Sequence, residues 1–386
     1  MKICGIIAEY NPFHNGHRYH IEQTREQYGA THIAAVMSGN FTQRGDAAIF
    51  DKYRRAEAAL KNGVDLVIEL PVAYSLASAE QFALGGVGLL NALGCVELLS
   101  FGSERGDVKA LREAASAVLY AQQTDDFFLF MKNGSSFPAA LQKTLEKYYT
   151  EDVVELLTTP NNTLAVEYLK AMDETGSLII PVTVARKGAP HDGEAARDGF
   201  ASASLLRKRL RAGEDVSAFA PPLPEGETAD LMRLETAILA KIRTLSKADL
   251  LKVPNVLAGL ENRIYKAARV SGSLAELMLL TKTKRYTMAR IRRIFLSAFL
   301  GIRKSDLTEL PPYVHILGMN ARGKEILSAA SCTLPIDTSL KALMNAGQKQ
   351  KRAALLEAQA GDLYALAFEK PRPCGLDFTE KPIILN

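Results

Sequence analysis

Five short apolar runs mark the first half of the chain: Ile3–Ala8, His32–Met37, Asp65–Leu70, Val96–Phe101 and Leu178–Ala185. Between and after them, apolar residues recur every three or four positions in Gly16–Tyr28, Asp51–Lys61, Ala79–Leu93, Val108–Ala121 and Asn162–Asp173. A continuous apolar run bounded by turn residues reads as a buried strand, and the three-to-four period reads as a helix with one buried face. Strands alternating with helices predict the α/β class, with a doubly wound parallel sheet. Asp125–Leu157 has helical periodicity and no strand, so a helical insertion of about residues 122–158 precedes the last strand. A helix from Ser202 to about Gly213 closes this part. The run Ala220-Pro221-Pro222-Leu223-Pro224-Glu225-Gly226 is stiff and helix-incompatible, and divides the chain into 1–219 and 220–386.

Beyond that linker the pattern turns helical, through Met232–Leu245, Gly259–Ser271, Leu274–Thr281, Thr287–Leu300 and Ser339–Ala360. Tyr313–Leu317 is a short apolar run that fits either a strand or the entry to a helix. The proline-rich end, Lys370 to Asn386, reads as extended. The second part is therefore expected to be a mainly helical domain.

Composition narrows the class. Of 386 residues, 47% are apolar and 23% charged, an ordinary globular mixture. Apolar runs are too short for a membrane span, and the first is interrupted by Glu9 too soon for a secretory signal. Cys4, Cys95, Cys332 and Cys374 are scattered, without a Cys-x-x-Cys pair, which favours reduced thiols and a cytoplasmic setting. The net charge of +4 is modest but unevenly spread: Lys241–Lys304 carries fifteen Lys/Arg against three acids, so the remainder is net acidic. Within that stretch Lys282, Lys284, Arg285, Arg290, Arg292 and Arg293 surround Tyr286, a pattern that fits phosphate contact with base stacking. A solvated basic face is the competing reading. Arg44, and the helix holding Lys52, Arg54 and Arg55, add cations after the second strand. There too a solvated face competes, with Arg44 favoured for RNA or an anionic substrate by its place at the strand ends.

The chemistry concentrates after the first strand, in Glu9-Tyr10-Asn11-Pro12-Phe13-His14-Asn15-Gly16-His17. A strand–turn–helix at the carboxyl end of a parallel sheet is where ligands bind, and a helix N-terminus there suits phosphate. His14 and His17, three residues apart, reach one side of the first turn and can donate to phosphate oxygens. Gly16 permits close approach of backbone to ligand. His20, one turn on, serves structure or ligand equally. Metal binding is the rival reading, but no carboxylate or thiolate completes a shell and Gly16 is then unexplained. Gly102 leaves room beside backbone for a base or ribose, and Glu104 follows it. Asn161 and Asn162 open a helix, one as its cap and the other toward adenine. Arg186 and Lys187 end the fifth strand as a phosphate pair. Ser202 or Ser204 caps a helix from which Arg207 reaches the same anion.

His14-Asn15-Gly16-His17 and Ser202-Ala203-Ser204-Leu205-Leu206-Arg207 resemble the two signatures of the His-x-Gly-His nucleotidyltransferase superfamily. With Met37-Ser38-Gly39-Asn40-Phe41-Thr42-Gln43-Arg44-Gly45, Asp65-Leu66-Val67-Ile68-Glu69-Leu70-Pro71 and Phe101-Gly102-Ser103-Glu104, the chain is similar to the bacterial tRNA(Met) cytidine acetate ligase family, most densely over 1–105. The resemblance implies a nucleotidyltransferase fold and a ligase that turns ATP and acetate into acetyl-adenylate. The acetyl group would then pass to N4 of the wobble cytidine of elongator tRNA(Met), with Mg2+ escorting the triphosphate. It also implies a nucleotide wall of Ile7, Ala8, Glu9, Tyr10, Asn11, Pro12, Phe13, His14, Asn15, Gly16, His17 and His20, joined by Gly102, Asn161, Asn162, Arg186, Lys187, Ser202, Ser204 and Arg207. His14 and His17 would be catalytic. The residues alone support an ATP-binding domain plus a basic helical one. An adenylyltransferase acting on a small cofactor precursor, and a non-catalytic RNA-binding protein, remain as alternatives.

Overall fold

A computed structural model describes residues 1–187, 199–307 and 309–386. Its main sheet has eight strands: β1 Ile3–Ala8, β2 His32–Ser38, β3 Leu66–Leu70, β4 Leu98–Ser103, β5 Ile180–Ala185, β6 Val314–Met319, β7 Ile336–Asp337 and β8 Ile383–Ile384. The order is β8-β6-β3-β2-β1-β4-β5, with β7 paired to β6. Alternate residues face opposite sides. Ile33, Ala35 and Met37 pack with Ile21 and Ala59 on one face, and Ala34 and Val36 join the core with Phe82 and Leu90 on the other. A strand buried on both faces must be apolar at every position, which is why these runs are continuous.

The helices that matter for the site are α1 Asn15–Tyr28, α2 Lys52–Lys61, α3 Ala79–Leu93, α4 Pro160–Glu174, α5 Ala203–Arg211, α6 Met288–Leu300 and α7 Gln348–Tyr364. The helical insertion is there as Asp125–Lys132, Phe137–Tyr148 and Glu151–Leu156. None of the helices among the described residues is long and apolar enough to cross a membrane.

The five strands read from the first half run parallel, and the winding direction reverses between β2-β1 and β4-β5. β1 and β4 pair only at Cys4↔Leu98 and Gly5↔Leu99. Their carboxyl ends therefore part, and the crevice that opens is the topological switch point. Three strands come from the part expected to be mainly helical: β6, the ambiguous Tyr313–Leu317 run, pairs antiparallel with β3, and β7 and β8 pair parallel with β6. The sheet thus crosses the linker at 220, and residues 220–386 are not a separate helical body.

Two cations expected at the surface are interior. Lys52 and Arg55 are 0% and 1% exposed. The Lys52 ammonium lies 2.8 Å from Glu69, 2.9 Å from Asp377 and 3.9 Å from Glu357, and His315 on β6 is 2.7 Å from the other Glu69 oxygen. Arg55 donates to the carbonyls of Phe50, Glu9, Ser38 and Gly39. Both stitch elements together and neither forms a solvated or RNA-facing surface.

Candidate active site

The turn after β1 delivers two imidazoles to the crevice. His14 is the N-cap of α1 with extended backbone, and its Nδ1 accepts from the Gly16 amide at 3.1 Å. His17 reaches back, its Nδ1 accepting from the His14 amide at 3.2 Å. This is a capping box built from two histidines. With Nδ1 of each ring occupied as an acceptor, the neutral ring carries its proton on Nε2. The rings stack at 3.8 Å with planes 20° apart. Burial holds His17 well below the ordinary histidine range, helped by His14, Arg186 and His20, so it donates as a neutral ring.

Two features of this turn were not visible in the sequence. A Cβ on Gly16 would sit 2.9 Å from the His14 ring, so the cap itself supplies a reason for glycine here. The first-turn amides are also engaged: Asn15 donates to Phe219, Gly16 to His14 Nδ1, and His17 to the His14 carbonyl.

Both imidazoles border a cavity of about 550 Å3 above β1, β4 and β5. Ile7, Ala8, Glu9, Tyr10, Asn11, Gly16, His20, Gly102, Asn161, Arg186, Lys187, Arg207 and Arg44 line it with them. Pro12, Phe13, Asn15, Asn162, Ser202 and Ser204 are not among its lining residues. Phe13 packs on Tyr10 and His17 with centroids 5.0 and 5.4 Å apart. Tyr10 holds a left-handed backbone (φ 44°), an uncommon cost for a non-glycine residue at a turn that must present the next residues. The Asn11 amide oxygen accepts from Ile49, so that side chain serves the fold.

His20 contacts Ser100 Oγ at 2.9 Å, and burial with Arg186 nearby pushes its pKa down to about 4. It lines the cavity as a neutral, anchored ring. Neither asparagine caps α4, because Thr159 occupies that position. Asn162 Oδ1 accepts from the Glu104 and Arg105 amides and ties the loop after β4. Asn161 faces the cavity, donating to Glu104 at 2.5 Å and accepting from Arg186 at 3.0 Å. Burial alone would raise the Glu104 carboxyl, but hydrogen bonds from Asn161 and the Asn162 amide win and keep it low. Glu104 is thus the anchor of a relay that aims Arg186. Lys187 lies over the Tyr19 ring at 4.9 Å. Ser202 caps α5 through the Leu205 amide at 3.2 Å, and Arg207 donates to the Asn11 carbonyl at 2.8 Å.

Glu9 is buried at the cavity wall, and burial pushes its carboxyl above the usual range against the Gln43 amide and the cations of Arg207, Arg44 and Arg55. Its Oε1 accepts from the Gln43 amide at 2.6 Å. Sequence reading missed Tyr19, Phe82, Thr158 and Tyr168 and gave Thr159 no role beyond opening a helix, and all of these also line the cavity. Thr158 and Thr159 directly precede Pro160, and their place at a helix start was the available signal.

The basic stretch splits. Lys282, Lys284, Arg285 and Arg292 are exposed. Tyr286 is 7% exposed and belongs to the apolar core, with the Arg290 guanidinium 4.9 Å from its ring, so it offers no open face for a base. Arg290 and Arg293 are half-buried.

Three comparisons agree with this geometry. The HIGH Nucleotidyl Transferase family profile matches residues 1–375. The tRNA(Met) cytidine acetate ligase of Acetivibrio thermocellus is 36% identical over 417 residues, covering all of both chains. That of Caldicellulosiruptor saccharolyticus is 37% identical over 400 residues, 100% of this chain and 99% of its own. Two crystal structures of Thermotoga maritima TmcAL, 33% identical and covered in full, superpose with TM-scores of 0.91 for the apo form and 0.88 for the form bound with alpha-thio ATP. The chain is therefore an enzyme of the HIGH nucleotidyltransferases and belongs to the tRNA(Met) cytidine acetate ligase family.

Proposed function

We propose that the chain joins acetate to ATP as acetyl-adenylate, releasing pyrophosphate, and then acetylates N4 of the wobble cytidine of elongator tRNA(Met) to N4-acetylcytidine. The observation that carries this is the stacked His14–His17 pair, with Nδ1 of both rings tied to backbone amides at the switch-point cavity. In the first step an acetate oxygen attacks the α-phosphorus and the bond to the pyrophosphate oxygen breaks. Charge grows on the equatorial oxygens, and fixed Nε2–H donors aimed there lower the barrier without reorganising. Neutral rings do this without holding the ground-state triphosphate as tightly as cations would. Arg186 and Arg207, each anchored by a protein acceptor, hold phosphates in both states. In the second step the N4 lone pair attacks the acetyl carbon, the bond to AMP breaks and N4 releases a proton.

The cavity's donors are nitrogens of His and Arg, which suit phosphate oxygens. Among the described residues no group of three His, Cys, Asp or Glu converges on a cation position. Mg2+ fits this site as the ion carried in on the triphosphate, neutralising part of its charge. The exposed cations Lys282, Lys284, Arg285 and Arg292 would meet the tRNA backbone. ATP, acetate and tRNA meet in the cytoplasm, which is the setting this reading assigns.

The deciding experiment incubates tRNA with the protein, ATP and acetate and analyses the nucleosides by mass spectrometry. N4-acetylcytidine appearing only when all three are present is the expected result. Pyrophosphate release that ignores acetate would point to a small-molecule adenylyltransferase, and none at all to a binding protein.

A further inference from the structure

A second cavity of about 420 Å3 lies beside the first and shares Ala79, Thr158 and Thr163 with it as common wall. Its floor is apolar, built by the helical insertion and α4 through Phe137, Leu141, Leu145, Leu157 and Val166. Its opposite side is the start of α6, which presents Arg290 and Arg293. One cation in this cavity is neutralised: Lys170 sits 2.9 Å from Glu167 and 3.7 Å from Glu80.

The two arginines are held differently. Arg290 gives Nη2 to the Asn255 carbonyl at 3.0 Å, and Arg293 gives Nη1 to the Gln43 carbonyl at 3.3 Å. The Nε–H of each is buried with no acceptor among the described residues. No carboxylate among those residues pulls on either: burial and mutual repulsion bring Arg293 down to about 10, and only the Tyr286 hydroxyl opposes the effect of burial on Arg290. A guanidinium keeps its proton, so two desolvated charges with spare donors form a site that an anion completes. Planar forks match phosphate oxygens, and an apolar floor beside them can take the face of a base.

We propose that this cavity seats the nucleotide of the RNA substrate adjacent to the acceptor cytidine, its phosphodiester on Arg290 and Arg293 and its base on the floor of the insertion. This rests on the functional reading above. The shared wall puts a neighbouring nucleotide within reach once the acceptor base enters the first cavity. A single loop also touches both sites. The Gln43 carbonyl takes Arg293, its amide holds Glu9, and Arg44 lines the nucleotide cavity. Gly45, at φ +76°, lies so close that a Cβ would press on the Arg292 side chain, which keeps this loop seated on α6.

The test removes charge from each side in turn. Substrate tRNA anticodon stem-loops carrying one methylphosphonate linkage at a time around the cytidine are titrated against wild type, R290Q/R293Q and R290K/R293K. One linkage should weaken wild-type binding about tenfold, as expected when a charge-assisted bidentate pairing is removed. The same linkage should cost the Gln variant almost nothing, and the Lys variant, which keeps both charges, should retain most of the effect. Equal losses in wild type and the Gln variant at every linkage would overturn the inference and leave the functional reading standing. If wild type binds no stem-loop at all, both fall. Equilibrium dialysis with ATP adds a control: a second equivalent bound by wild type and missing in R290Q/R293Q would make this a free-nucleotide site and overturn the RNA assignment.

Discussion

The two cavities flanking α3 use arginines that each rest on one protein acceptor and differ in whether a buried N–H is left over. In the first, Arg186 and Arg207 rest on protein acceptors and both histidines are locked by a reciprocal cap. In the second, Arg290 and Arg293 keep buried N–H groups with no acceptor among the described residues, although Lys170 across the same cavity is paired with Glu167. A site prepared for chemistry has its donors fixed beforehand, because reorganisation during the reaction would raise the barrier. A site prepared for a strand of nucleic acid can leave charge uncompensated, since the strand brings its own counter-charge. The contrast teaches that a cation's role is read from its acceptors rather than from its presence in a basic run.

The largest effect expected from this contrast is in the first cavity. His14→Ala or His17→Ala should lower acetate-dependent ATP–pyrophosphate exchange by about 10²–10³-fold, the usual cost of one preorganised donor. Near-normal exchange in both variants would mean that this cavity is not the prepared one. Next in size is the exposed part of the second region. Lys284, Arg285 and Arg292, changed together to Ala, should flatten the salt dependence of tRNA binding by about 0.7–0.9 in log–log slope for each phosphate no longer neutralised. An unaltered slope and affinity would reduce these residues to a solvated face.

Smaller still is Arg186→Ala, expected to raise KM for ATP about tenfold with kcat little changed, because the side chain meets phosphate in ground and transition states alike. An unchanged KM with a collapsed kcat would move Arg186 into the transition state. Asn161→Ala should repeat a fraction of the same KM effect by releasing the Arg186 fork. The smallest is a pH effect on stability. His17 and His20 have folded-state pKa values below the unfolded one, His20 at about 4. Between pH 4 and 6.5 the unfolded chain therefore binds a proton at His20 that the folded chain does not, and stability falls as pH drops through that window, by up to about 1.4 kcal/mol per unit for that ring. Denaturant midpoints at pH 5 and 7 should differ less for His20→Gln than for wild type, and an identical difference would remove His20 from the account.

Much of the first cavity was legible because its residues are contiguous. Strand, turn and helix from Ile3 to Tyr28 follow from period and punctuation, and the crevice follows from strand order. The choice between Asn161 and Asn162 was not legible, since it depends on which way the loop after β4 folds onto α4. Gly16 stood out in the sequence, but the further reason the structure gives for it was hidden, because the ring it accommodates belongs to its own cap. Lys52 looked like part of a surface run since its partners Glu357 and Asp377 lie some three hundred residues downstream, and Arg55 because its acceptors are backbone carbonyls, which no residue pattern marks. Tyr286 looked like a stacking platform because aromatic residues among cations read alike whether buried or open. β6 was ambiguous for a related reason: a six-residue apolar strand carries too few periods to distinguish it from a helix start.

That strand has a consequence for how the protein is made. β3 leaves the ribosome about 240 residues before β6, and at a synthesis rate of roughly 5–20 residues per second its open edge waits on the order of ten to fifty seconds. Over the same interval Glu69 and Lys52 are without His315, Glu357 and Asp377. An unpaired apolar edge is the usual template for wrong pairing between nascent chains. Synthesis of this chain therefore carries a window in which crowding of neighbouring ribosomes on one message matters, and a stop near the linker at 220 would leave that window permanently open.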